Sequence, residues 1–332
     1  MKRALVLLSL LLLLIVPALP MRAGMDKVVV ISNSVDRPAA LELVTYLMKG
    51  GISASISGPS EFSSLMKSGD VKEIIVLGGP DAYQGVGNIT SELMSKIDQS
   101  YLRGNKGAAV IRRYGFFVGG KFKDVIVIAG STRKETRLCA ELYASLGFPG
   151  SLVYPEVVGR IISMSSKRSL VYVRKYIKGG EVNRTVIQVS YFSGDVNGSP
   201  GRGYVWSYEV QVSNYTAQVS NYNVFLENGK YCYQSAVEFN KSEEHTGWKC
   251  SLASMARIKE VYGGIESVSS MLSGFLKVEN KTVPAGTFRC LVEETAGFKV
   301  WLSPEVPFTG VVAASLKSGS AKVLFELTAI KG

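Results

Sequence analysis

A chain of 332 residues, 46% hydrophobic and 20% charged, is long enough to bury two cores of ordinary size and too polar to cross a membrane repeatedly. Its formal charge of +11 comes from scattered lysines and arginines, as in IRRYG (111–115) and SSKRSLVYVRKYIK (165–178), so no dense basic run marks a nucleic-acid footprint. One histidine, His245, and four cysteines in no zinc spacing leave little to hold a metal, and no cofactor motif is present.

In chain order, Lys2 and Arg3 precede the uncharged run ALVLLSLLLLLIVPAL (4–19), with small residues at Ala18 and Ala23. A basic segment, an apolar core and small residues make a signal peptide over 1–24, and hence an exported protein at the cell surface or beyond it. The alternative is an uncleaved N-terminal segment that holds the protein at the surface, although the run is short for a membrane span. No cysteine follows it for lipid attachment.

From 26 to 148 strands and helices alternate. KVVVIS is a β-branched buried strand, and Asp36 stands ready to cap a helix with Pro38 in its first turn. Leu41, Val44, Leu47 and Met48 recur at helical spacing until Gly50-Gly51. ISASIS, a short helix over 60–68, the strand EIIVLGG and a helix from Thr90 to Tyr101 follow. AAVIRRYGFFVGGKFKDVIVIAG holds a hairpin leading into the buried strand DVIVIAG, and Thr132 with Glu135 has capping-box spacing at the head of TRKETRLCAELYASLG. Such strands alternating with helices predict an α/β module, a mostly parallel sheet with helices on both faces.

Residues 149–165 would be the join. Over 166–332, RTVIQVSYF, YVWSYEVQVS, NYNVFLENGKYCYQSAVEF, FLKVENKTV, FRCLVEE, FKVWLS and AKVLFELTAI read as antiparallel strands. Asn228-Gly229 supplies a hairpin turn. Met255, Ile258, Val261, Ile265, Val268 and Met271 predict one or two helices near 252–275. The second half is therefore an antiparallel β-rich α+β domain.

Export gives meaning to six glycosylation sequons, at Asn88, Asn183, Asn197, Asn214, Asn240 and Asn280. It also permits disulfides, and Cys232 with Cys250 is the expected pair across one loop, while Cys139 fits a buried free thiol and Cys290 stays open.

The stretch EIIVLGGPDAYQGVGNIT (73–90) runs from strand to glycine-rich turn to helix, the order of a phosphate loop. Yet Gly78, Gly79, Gly85 and Gly87 match neither G-x-G-x-x-G nor G-x-x-x-x-G-K-[ST], and Pro80 removes an amide that a phosphate cradle would use. A nucleotide is not the expected partner. With VIVIAGSTRKETRLCAEL downstream, the Gly-Gly-Pro strand end over 26–148 resembles the cell-wall-binding and surface-layer modules of prokaryotic envelope proteins. That resemblance implies a turn-shaping role for the glycines, although those modules occur in arrays and this chain holds one copy. The segment VPAGTFRCLVEETAGFKVWLSPEVPFTGVV (283–312) resembles, weakly, uncharacterised exported β-domains with a half-open, lipocarrier-like barrel over 165–331. On that likeness Trp206, Phe288, Trp301 and Phe308 are candidates to line an apolar cavity, or to be plain core.

Catalytic residues are not assigned. His245 sits in a polar stretch without a nucleophile signature, Glu293-Glu294 reads as one inward and one outward strand residue, and GDVNGS (194–199) reads as a turn rather than a calcium loop. The expected function is a non-catalytic, glycosylated envelope protein whose partner is an envelope polymer or surface-layer protein. The alternative is a carrier of lipid or another hydrophobic ligand, and a glycan-active enzyme ranks third.

Overall fold

The computed structural model describes residues 27–145, 163–212, 215–228, 230–239, 242–252 and 274–332. The expected signal peptide, nearly all of the join and residues 253–273 of the expected helical segment lie outside them. At the flanks of that last segment, Leu252 ends a strand and Gly274–Phe275 is not helical.

The first part holds β1 (Lys27–Ile31), α1 (Arg37–Lys49), β2 (Ala54–Ser57), a 3-10 turn, α2 (Phe62–Lys67) and β3 (Val71–Leu77). It continues with α3 (Val86–Leu93), α4 (Lys96–Gly104), β4 (Ala108–Val118), β5 (Lys121–Gly130) and α5 (Arg133–Ser145). β1 pairs in parallel with β2 and β3, β3 in parallel with β5, and β4 folds back antiparallel on β5. Continuous apolar runs follow from coverage of both faces. Val28, Val30, Ile75, Leu77, Ile126 and Ile128 pack against α1 and α5. The alternate residues Val29, Ile31, Ile74, Val76, Val125 and Val127 pack against α2, α3 and α4. The helix expected from Thr90 to Tyr101 is two helices, because Ser95 caps a new one by accepting the Asp98 amide at 3.1 Å. Asp36 precedes α1 as expected but makes no side-chain cap; its amide instead donates to Asn33 Oδ1 at 2.7 Å.

The second part is antiparallel throughout: β6 (Ser169–Lys178), β7 (Glu181–Val196), β8 (Ser199–Val212), β9 (Tyr215–Leu226), β10 (Lys230–Phe239), β11 (Ser242–His245) and β12 (Lys249–Leu252). Then come β13 (Leu276–Val283), β14 (Gly286–Thr295), β15 (Phe298–Leu302), β16 (Val311–Ser318) and β17 (Ala321–Lys331). Tight hairpins set the register, among them Asn197-Gly198, whose positive φ values of 52° and 78° suit the strand twist. His245, in the polar stretch between the bridge cysteines, ends β11 and is exposed.

The two parts are not separate layers. β13 pairs with β4 through Leu276–Ala109 and Lys277–Ala108, so the order runs β2-β1-β3-β5-β4-β13-β14-β15-β16-β17-β6-β7-β8-β9-β10, with β11 and β12 on the outer edge of β10. The expected fold class therefore holds in part: the strands β1–β5 are mostly parallel with helices on both faces, but they continue into the antiparallel strands as one mixed, mostly β sheet. Its physical cause is a seam rich in hydrogen bonds. Val278 N donates to Gly107 O at 2.8 Å, Tyr101 Oη to Leu276 O at 2.9 Å, and Arg112 Nη1 to Gly274 O at 3.0 Å. One apolar core runs across it, from Leu43 and Leu142 to Leu276, Val300, Tyr172 and Phe225.

Cys232 and Cys250 are bridged across β10 and β12, and Cys139 and Cys290 are buried free thiols. Burial pushes Cys290 up to about 12 and Cys139 higher still, so both are inert packing groups. A structural bridge belongs to oxidising compartments, as expected for an exported chain. No helix among the described residues is long and apolar enough to cross a membrane.

Candidate functional site

Where β1, β3 and β5 end, the chain must turn into helices on opposite faces of the sheet. α1 and α5 leave on one side, and α3 and α4 on the other. Divergence of this kind opens a crevice at the carboxyl edge of a parallel sheet. Here it is a hollow of about 720 Å³, walled by Asn33 and Asp36 after β1, Gly78–Tyr83 after β3, and Gly130–Arg133 after β5. Arg103, Asn105 and Lys106 complete the wall.

The glycine-rich loop is built to stand by itself. Thr90 Oγ1 donates to Gly78 O at 3.0 Å, Ser91 Oγ to Pro80 O at 3.3 Å, Ala82 N to Gly79 O at 3.0 Å, and Gly87 N to Ala82 O at 3.1 Å. A Cβ at Gly87 would lie 2.6 Å from both the Ala82 and Pro80 carbonyl oxygens, so only glycine lets α3 start there. The loop satisfies its own carbonyls and serves as one wall of the crevice. The opposite wall is anchored by Gly130, whose amide donates to Thr136 Oγ1 at 3.0 Å. Thr132 caps α5 by accepting the Lys134 amide at 3.2 Å, and its hydroxyl bonds Glu135. Glu135 therefore meets the cap's side chain, and it also receives Arg289 of β14 at 3.1 Å.

Electrostatically the crevice is mixed but not balanced. Arg103 clasps Asp81 through Nε and Nη2, the latter at 2.8 Å, and this pairing holds the Asp81 carboxyl below its ordinary range. Burial lifts Asp36, and the Asn33 hydrogen bond and the charge of Arg133 only partly oppose it. Arg112, Arg113 and Arg137 are tied to Asp98, Asp124 and Glu42. Arg133 and Lys106, both exposed, line the hollow with no ion pair among the described residues. A second hollow of about 660 Å³ adjoins the first and shares Lys106, Thr132 and Arg133 with it. Together they form a trough along the sheet edge, reaching β13 at Glu279 and Asn280.

The other expected site residues are dispersed. Asn88, Asn183, Asn197 and Asn280 are exposed, and Asn214 and Asn240 lie outside the described residues. Register separates the four aromatics. Trp206 shares a face with Tyr172 and Phe325, with centroids 6.2 Å from each. Trp301 pairs with Val292 and Ala313, which places it with Phe288 on the opposite face. Trp301 is moreover covered by Lys281 and Lys299, 4.4 and 4.9 Å from its ring, while its Nε1 donates to Glu279 at 2.5 Å. Phe308 is buried in the loop between β15 and β16. Phe288 and Phe308 are nonetheless part of the core that spans the sheet, and Trp206 and Trp301 pack against it. Glu293 is inward and Glu294 outward, as alternation requires.

Sequence reasoning found the glycine loop but missed the crevice. Its signal was present: two apolar runs, each ending in glycine before a polar helix start, which a parallel sheet places at one edge. Among the described residues no group of His, Cys, Asp and Glu is arranged to hold a metal.

No family model matches this chain, and no curated relative matches its sequence. Among solved structures, a DUF1329 family protein from Desulfovibrio piger is similar to it at 7% identity, covering 51% of this chain and 88% of that one with a TM-score of 0.26. A likeness this slight carries no argument about fold or activity.

Proposed function

We propose that this is a non-catalytic, exported envelope protein that holds an anionic envelope polymer along the carboxyl edge of its parallel strands. The observation that carries this reading is the trough, two adjoining hollows joined at Lys106 and Arg133. Cations held in no ion pair attract anions, and the start of α5 adds a favourable dipole beside Arg133. An elongated trough suits a repeating chain better than a compact phosphate ester, and the self-satisfied glycine loop has no lysine to close on one. The surface-layer resemblance of residues 26–148 agrees with such a partner. The test is binding to protein-stripped envelopes of the native host, with long-chain polyphosphate as competitor. Changing Lys106 and Arg133 together to glutamate should weaken binding at least tenfold, roughly 1.4 kcal/mol or more. Both side chains are exposed, so the melting temperature should hold; unchanged binding would sink the proposal.

A second reading, carriage of an apolar ligand, has one observation in its favour. Tyr172, Trp206 and Phe325 stack on one face of the antiparallel part, and Trp206 is only half-buried. Native mass spectrometry of protein recovered without detergent decides it: an extractable apolar mass supports carriage, and its absence removes it.

A further inference from the structure

Of the described sequon asparagines, Asn88 lies on α3 and Asn183 and Asn197 lie near hairpin ends, all away from the trough. Asn280 is different. It sits within β13 and lines the second hollow with Lys106, Arg133, Lys134, Glu279 and Arg289. β4 pairs with β13 only at Leu276 and Lys277, and Gly107 closes on Val278, so the edge of β13 beyond that point faces the hollow instead of a strand. The third residue of the sequon, Thr282, is exposed, its hydroxyl 2.9 Å from that of Thr287. The hollow's lining offers charged donors and acceptors on both sides, the surface that sugar hydroxyls replace water on at little cost.

We infer that Asn280 carries an N-linked glycan whose first sugars lie in this hollow and close one end of the trough. The link forms between the Asn280 amide nitrogen and the anomeric carbon of a sugar activated as a pyrophosphate ester. The carbon–oxygen bond to pyrophosphate breaks, the leaving group takes the electron pair, and the amide gives up one proton. Once attached, the glycan competes with a polymer for Lys106 and Arg133. Modification at Asn280 then sets how long a stretch of anionic chain the trough accepts. This regulatory consequence rests on the polymer-binding reading; the seat of the glycan does not.

The experiment uses full-length protein purified from its native host, with Asn280→Gln, Thr282→Ala, Thr282→Ser and Asn183→Gln variants. Glycopeptide mass spectrometry reads occupancy, hydrogen exchange reads the amides of 131–136, and titration with long-chain polyphosphate reads the trough. Asn280 is expected to be occupied. Asn280→Gln and Thr282→Ala, which destroy the sequon, should speed exchange at 131–136, whereas Thr282→Ser and Asn183→Gln, which leave it intact, should not. Loss of the glycan should also tighten polyphosphate binding by about tenfold. An unmodified Asn280, or an occupied one whose loss leaves exchange at 131–136 unchanged, overturns the inference. If exchange changes but no form binds polyphosphate or host envelopes, the glycan's seat stands and the polymer reading fails.

Discussion

The parallel and antiparallel parts of this sheet solve the same burial problem differently. In β1–β5, apolar strands are covered on both faces by helices, and β1, β3 and β5 each lead to a helix through a turn at the carboxyl edge. In β6–β10, strands of ten to sixteen residues follow one another through short connections, and many side chains stay half-buried. Helical crossovers bring distant loops to one edge, so the parallel part gathers Asn33, Arg103, Lys106 and Arg133 into a crevice. Hairpins only join neighbours, so the antiparallel part spreads its polar groups along its strands. A cleft arises where connections cross over, and the longer sheet serves as its frame.

Breaking the frame far from the crevice tests whether the parts are one cooperative unit. The bridge ties residues 18 apart at the outer edge, and replacing Cys232 and Cys250 with alanine should cost about 3 kcal/mol. Because the core is shared across the β4–β13 seam, near-UV and far-UV unfolding transitions should move together. Two separated transitions would mean the seam does not couple the parts. A smaller loss is expected on the parallel side. Gly87→Ala forces a methyl group against two backbone oxygens and should destabilise by about 2.5 kcal/mol while also weakening envelope binding. Thermal melts and the envelope assay check both; a variant as stable as wild type would contradict the loop's tight packing.

Much of the architecture was legible because its signals are local. KVVVI, EIIVL and DVIVIA announce strands buried on both faces, and Pro284, Ala285 and Asn197-Gly198 sit in the turns their chemistry favours. What stayed hidden is long-range. The pairing of Ala109 with Leu276 spans more than half the chain and leaves no periodic trace. β6 escaped notice because Arg174, Lys175 and Lys178 make it look like a charged surface, although Leu170 and Tyr172 on the same strand are fully buried. The crevice was hidden for the same reason: its cations come from α4, β4 and α5 surroundings that only the parallel topology brings together.

The effect that appears only as pH rises lies at the seam itself, where the two parts share a buried carboxyl group. Glu293 is 6% exposed, its Oε2 has no hydrogen-bond partner, and the charged groups facing it are Arg112 and, beyond it, Asp98. Burial lifts Glu293 from 4.5 to about 7, and the Gly274 backbone and Arg112 only partly offset this. Arg112 is already engaged by Asp98, whose own carboxyl its Arg112 and Ser95 partners hold low against the effect of burial. The folded chain thus keeps the Glu293 proton up to about pH 7, whereas the unfolded chain releases it near pH 4.5. Between those values the unfolded state is favoured progressively, so this group lowers stability as pH rises through the window, with its full penalty above it. Glu293→Gln removes the titration. Relative to wild type, the variant should gain about 3 kcal/mol between pH 4 and pH 8, with the difference flat below about pH 4. Denaturant melts across that range read it directly. A difference independent of pH would mean that Glu293 stays ionised in the fold, and that Arg112 serves both carboxylates and holds the parallel and antiparallel parts together by charge.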